Sequence, residues 1–213
     1  MKKILATLTL LFFCAATVLQ AQEKEDKLDL PGDNLNLYAV LKLFQESETL
    51  EGFERKLNEE DSKINNLDLD GDDKTDYIKV VDNLDGDVHT IVLQVAVSAN
   101  ETQDVAVFTV QKNDKGGVEI QLVGDEDLYG KDYIIEPNME GAGDKATETP
   151  NPGFTGNTKV INNEKVVVQQ TTTVQISAWP IVRFIFLPTY IVWHSPWYLG
   201  YYPPYWHPWR PHY

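Results

Sequence analysis

HTIVLQVAVS, residues 89–98, alternates two surfaces: Ile91, Leu93, Val95 and Val97 on one side, Thr90, Val92, Gln94, Ala96 and Ser98 on the other. Side chains of a strand point alternately to its two faces, so this period of two predicts a strand with one buried face. Its neighbours repeat the pattern. YIKVVD (77–82), DVAVFTVQK (104–112) and VEIQLVG (118–124) are rich in β-branched residues, and NLDGD, ANETQ and NDKGG separate the runs. Asp-Gly and Gly-Gly supply the positive φ angles that tight hairpins need, so the runs predict an antiparallel sheet. LYGKDYIIEP closes the unit, with a short edge strand over Tyr133 to Ile135.

Upstream the period changes. In LPGDNLNLYAVLKLFQES (30–47), Leu37, Val40, Leu41 and Phe44 recur at helical spacing after an Asp33 or Asn34 cap. In ETLEGFERKLNEE (48–60), Leu50, Phe53 and Leu57 do the same, with Ser47 as the cap. The expected fold class is α+β: two N-terminal helices covering the apolar face of a mainly antiparallel sheet.

The ends of the chain are of different character. MKKILATLTLLFFCAATVLQAQ has two lysines, an apolar run from Ile4 to Leu19 and a small-residue site ending at Ala21, followed by the polar QEKEDK. This is the layout of a secretory signal peptide over residues 1–21. Cleavage there removes Cys14, the only cysteine, and excludes thiol chemistry and cysteine-zinc sites. The α+β domain then occupies 22–137, a Gly/Pro/Thr-rich linker 138–157 and a β-hairpin unit 158–178, with Val166, Val168, Val174 and Ile176 on one strand face. Residues 179–213 form an apolar segment rich in Trp, Tyr and Pro. A membrane span over 176–193 is opposed by Arg183 near its middle and by Pro180 and Pro188. Pro180 instead begins a short helix or extended segment docking on the hairpin unit.

Net charge is −15, and of 33 acidic residues only Glu164 lies beyond position 159. An acidic surface without clustered Lys and Arg is unsuited to nucleic acid and favours cations. The acids are densest in NNLDLDGDDKTDYIKVV (65–81). There Asp68, Asp70 and Asp72 occupy alternate loop positions, Lys74 can offer its backbone carbonyl, and Asp76 completes a ligand set. Calcium takes roughly six to eight oxygens at ~2.3–2.6 Å, which such a loop can supply. The same residues also suit an Asx-rich turn that asks nothing of a metal.

DLDGDDKTDYI resembles the D-x-D-G-D-G-x-x-D calcium loop of integrin-type propeller repeats, a relative of the EF-hand loop that is followed by a strand. The resemblance covers about a dozen residues and implies a bound calcium ion, not a propeller. Asp73 stands where that loop has Gly, and Lys79 where an EF-hand has its bidentate Glu. From LPGDNLNLYAVLKLF through INNLDLDGDDKTDYIKV, QDVAVF and YGKDYIIEP to SPWYLGYYPPYWHPW, the chain also resembles a family of exported proteins of Bacteroidota. That resemblance implies export and this domain order, and brings no activity with it.

The four histidines have no recognisable metal or catalytic spacing, His89 reads as structural, and G-x-S-x-G, H-E-x-x-H and phosphate-loop motifs are missing. The expectation is a non-enzymatic, exported calcium-binding protein of the periplasm, cell envelope or medium, with the ion structural or sensory. The alternative is a glycan- or membrane-surface-binding protein acting through its tail, with calcium incidental. Trp193, Trp197, Tyr201, Tyr202, Trp206 and Trp209 are the candidate contacts with an envelope glycan, lipid surface or protein partner, since their rings join an apolar body to a polar edge. Rings exposed together would mark a contact surface, whereas rings folded back over the hairpin would only finish a core.

Overall fold

The computed structural model describes residues 28–137, 158–161, 164–167 and 173–211. The signal-peptide expectation at 1–21 and the linker expectation at 138–157 lie outside them.

The alternating runs form one five-stranded antiparallel sheet in the order β1-β2-β3-β4-β5. Its strands are β1 (Ile78–Asp85), β2 (Val88–Ser98), β3 (Glu101–Lys112), β4 (Val118–Gly124) and β5 (Ile134–Ile135). Gly86, at φ 59°, and Asp87 make the two-residue turn between β1 and β2, the conformation the Asp-Gly pair was expected to provide. The register pairs Val80 with Leu93, Leu93 with Ala106, Ile91 with Phe108 and Phe108 with Leu122. One face therefore carries a continuous apolar row.

Helices α1 (Leu37–Glu46) and α2 (Leu50–Leu57) cover that face. Phe44 of α1 stacks on Phe108 at 4.4 Å between ring centres, and Phe53 of α2 meets both rings edge-on at 5.3 and 6.0 Å. Each helix starts later than its sequence suggested. A 3-10 turn over Pro31–Asn34 intervenes, so Asn36 caps α1 by accepting from the Tyr38 and Ala39 N–H groups, while Asp33 accepts from Leu28 and Asp29. Ser47 instead closes α1, and Thr49 Oγ1 caps α2 through the Gly52 N–H at 3.0 Å.

Further along the chain, β6 (Thr158–Ile161) and β7 (Glu164–Val167) pair antiparallel, as a hairpin there would require. Val174 and Ile176 were expected to extend it. They lie instead in helix α4 (Thr173–Ser177), after α3 (Glu126–Tyr129) and before α5 (Pro180–Ile185). The β-branched TTTV run favours strand, but Ile176, Trp179, Val182 and Ile185 recur at helical spacing and all enter the main core. Thus α4 packs on β4 and α5 on α1, not on the hairpin. Tertiary burial overrides local propensity here. No described helix is long and apolar enough to cross a membrane.

Candidate functional site: the edge of the sheet, the aspartate loop and the tail

Strand β1 is an outer strand of the sheet and presents the N–H groups of Ile78, Val80 and Asp82 outward. All three are satisfied by other elements. Asn58 Oδ1 accepts from Ile78 at 2.8 Å, Glu54 Oε2 from Val80 at 2.8 Å, and the Trp193 carbonyl from Asp82 at 2.8 Å. Ser195 N–H returns a bond to the Val80 carbonyl at 3.0 Å, and His194 Nε2 donates to the Asp82 carbonyl at 2.9 Å. Residues 193–195 thereby seal the strand.

Two buried carboxylates anchor this seal. Glu54, 1% exposed, falls on the apolar stripe of α2 with Leu50, Phe53 and Leu57. Its Oε1 accepts from the Tyr77 and Ser195 hydroxyls, each at 2.9 Å, and its Oε2 also accepts from Trp193 Nε1 at 3.4 Å. Burial raises its pKa, and the four donors oppose that rise only in part. Asp82 is fully buried, and its Oδ2 accepts from Tyr190 Oη at 2.7 Å and pairs with His89 Nδ1 at 2.8 Å. His89 is therefore structural, 1% exposed and set edge-on to Phe186 and Tyr190.

The aspartate loop leads directly into β1. Asp68 gathers it: Oδ1 accepts from Gly71 and Asp72 N–H, Oδ2 from Asp73 N–H. Gly71 and Asp73 both take positive φ, 74° and 63°, so the residue replacing the usual Gly does adopt the left-handed bend. Asp tolerates that region better than most residues, through its short polar side chain. Asp68, Asp70 and Asp72 each bring a carboxylate oxygen into a set whose members lie within 4.8 Å of one another. Two ligands on opposite sides of a calcium ion stand about that far apart.

Asp76 and the Lys74 side chain take up other positions beside the trio, and the expectation for Lys74 concerned its backbone carbonyl alone. Asp76 lies outside the convergent trio, and its Oδ2 accepts from Leu69 N–H. Burial, with the like charges of Asp70, Asp68 and Asp72, pushes its carboxyl up to about 7. Lys74 places its ammonium on Asp72 Oδ2 at 2.7 Å.

The tail then crosses the loop. The Trp209 carbonyl accepts from both Thr75 N–H, at 2.8 Å, and Thr75 Oγ1, at 3.1 Å. Trp206 and Trp209, each 8% exposed, pack with Tyr77 into a second small core. These two expected contact residues are thus buried. Trp193, Trp197 and Tyr202 are half-buried, and Tyr201 alone of the six is open, at 53%. The rings cover β1 and the loop, and the tail's hydrogen-bonding partners lie on β1, on the loop at Thr75 and on α2 at Glu54. Between loop and tail runs a groove of about 560 Å³, with Asp70, Asp72 and Asp76 on one wall and Tyr202, Trp206 and His207 on the other.

Sequence reasoning missed Glu54 and Asp82. Their signal was positional: Glu54 stands four residues after Leu50 on the buried stripe, and Asp82 two after Val80 on the inward face of β1. Comparison with family models, with curated proteins and with solved structures gave no match for this chain.

Replacing Glu54 with Ala strands four donors in the interior and is expected to cost about 3 kcal/mol in urea unfolding. Glu54→Gln should retain most of that stability, since its amide can face the Tyr77 and Ser195 hydroxyls, which rotate to accept. Equal losses in the two variants would contradict the hub. A second expectation concerns pH. Asp76 titrates at 3.8 when unconstrained and at about 7 in the fold, so the folded state holds its proton more tightly. The stability this confers is complete below pH 3.8 and is lost as pH rises towards 7. In the presence of chelator, Asp76→Asn should flatten that decline in a melting-temperature series; an unchanged slope would contradict it.

Proposed function

We propose that this is a non-enzymatic, exported, calcium-binding protein of the cell envelope, in which the ion fixes the aspartate loop beneath the C-terminal tail. The observation that carries this reading is the convergence of Asp68, Asp70 and Asp72 within 4.8 Å, on a loop whose next residue but two, Thr75, holds Trp209. Three carboxylates this close repel one another, and a divalent cation relieves the repulsion more fully than the single ammonium of Lys74. The Lys74 carbonyl and water would complete the coordination, with Asp76 held behind the trio. The His89 and Asp82 pair is too deeply buried to serve a substrate, which supports a non-catalytic role.

A second reading assigns the tail to an envelope surface. It is favoured by the exposed apolar residues, seven of which come from one stretch: Leu187, Ile191, Val192, Tyr198, Leu199, Tyr201 and Tyr205. Ile191 is 86% exposed. Removing the tail is not a clean test of this, since truncation at Trp193 would also uncover Glu54 and the edge of β1.

Calcium is expected to raise the melting temperature of the chelator-treated protein by several degrees, and Asp70→Asn should abolish most of the gain. Magnesium, which demands near-octahedral geometry and keeps its water, should act more weakly. A melting temperature indifferent to calcium would overturn the metal reading.

A further inference from the structure

We infer that the sheet face turned away from the helices is a dimer interface whose occupant is a second copy of this chain. The register sets five apolar residues in one line across the whole sheet: Val81 pairs with Val92, Val92 with Val107, Val107 with Val123 and Val123 with Ile134. Each stands next along its strand to a core residue (Val80, Leu93, Phe108, Leu122 or Ile135), so it points to the opposite face. An antiparallel sheet with one face on the core ordinarily carries polar residues on the other, and an apolar row through every strand departs from that pattern. None of the five belongs to either apolar cluster of the fold, although Val92 is only 9% exposed.

Charge says what covers the row. Asn83, Thr90, Thr109 and Gln121 run along one side of it; on the other, Gln94 stands between Lys79 and Asp104 and donates to Asp104 Oδ1 at 2.7 Å. In a chain of net charge −15, a face with so neutral a centre is where a like-charged copy approaches with least repulsion. Its outer charges are self-complementary as well. Lys79, the one cation of these rows, lies on β1 at one corner. Glu119 on β4 and Glu136 just past β5 lie at the diagonally opposite corner. A two-fold axis along the other diagonal exchanges these corners, so that Lys79 of one protomer faces the two glutamates of its partner. Such an axis crosses the sheets at a steep angle, one of the two ways in which sheets pack face to face.

The extent of the face suits that role. Five strands at ~4.8 Å spacing and about seven residues at ~3.4 Å rise span roughly 20 Å by 24 Å, and the accessible surface of such a relief approaches the ~800 Å² that each partner gives to a stable interface. The row is built of β-branched side chains with restricted rotamers, so ordering them on association costs little. At β1 the tail already blocks edge-to-edge addition, so a second copy meets this side of the sheet through its face.

The test is analytical ultracentrifugation of the purified protein at micromolar concentrations, in calcium and in chelator. A reversible dimer is expected in both, which separates this inference from the metal reading. Val107→Lys, at the centre of the row, should weaken the dimer by roughly tenfold or more even though it reduces the net negative charge. Thermal unfolding shows whether that variant folds; if it does not, a charge exchange decides. Lys79→Glu should weaken the dimer, and adding Glu119→Lys and Glu136→Lys to it should restore association, a reversal that general destabilisation would not produce. A monomer at every concentration, a dimer formed only with calcium, a dimer unmoved by folded Val107→Lys, or no recovery in the exchanged variant overturns the inference. A monomer that sediments with phosphatidylcholine or phosphatidylglycerol vesicles would assign the face to lipid, and a monomer strongly destabilised by Val107→Lys would mean that the face is covered within the chain; either overturns it too.

Discussion

The free edge of β1 sets the terms for the rest of the molecule. An outer strand exposes unpaired N–H groups that invite another chain to add to the sheet, and proteins cover or interrupt such edges. Here the outward N–H groups of Ile78, Val80 and Asp82 on β1 go to Asn58, Glu54 and Trp193. The first two come from α2 and its C-terminal cap, the third from a segment more than 100 residues further on. One hydrogen-bonding constraint thus joins helix, sheet and tail.

That arrangement explains why an acid is buried where an apolar residue would pack as well. Glu54 lies between a backbone N–H, two hydroxyls and an indole, all donors, and a carboxylate is the side chain that can accept from all of them. Desolvation opposes its ionisation, as the raised pKa records, but the donors leave little reason for the tail to release. Arg55 adds an outer contact, its guanidinium 4.7 Å from the centre of the Tyr205 ring. With the tail held, the aspartate loop is trapped between β1 and Trp209, and the groove exists only because both walls are fixed. The aspartate loop and the aromatic tail, separate features along the chain, are therefore parts of one region.

The sheet and the two helices were legible because their burial is periodic: alternation over residues 89–98 and a three-and-four spacing over 37–44 encode which face is buried. The loop was legible because its carboxylates are local, and the structure adds that Asp73 takes the bend usually left to Gly. What local pattern could not convey was long-range pairing. Nothing in AWPIVRFIF says that its apolar residues belong to α1's core, and nothing in WHS says that it lies along β1. The β-branched TTTV run pointed to strand, yet the burial of Ile176 and Trp179 decided for helix. Glu54 was hidden for the opposite reason, because a charged residue on an apolar stripe reads as an interruption until its donors, drawn from residues 77, 80, 193 and 195, are in place.

The central claim is that the tail completes the sheet edge rather than hanging from it. Native-state hydrogen exchange tests this most directly, at the amides of Asp82, Ser195 and Thr75. All three are expected to exchange only with global unfolding, at the same free energy as the core amides of β2, because each is bonded across the seam between tail and domain. Exchange of Ser195 and Asp82 at rates typical of an exposed chain, while β2 stays protected, would contradict it.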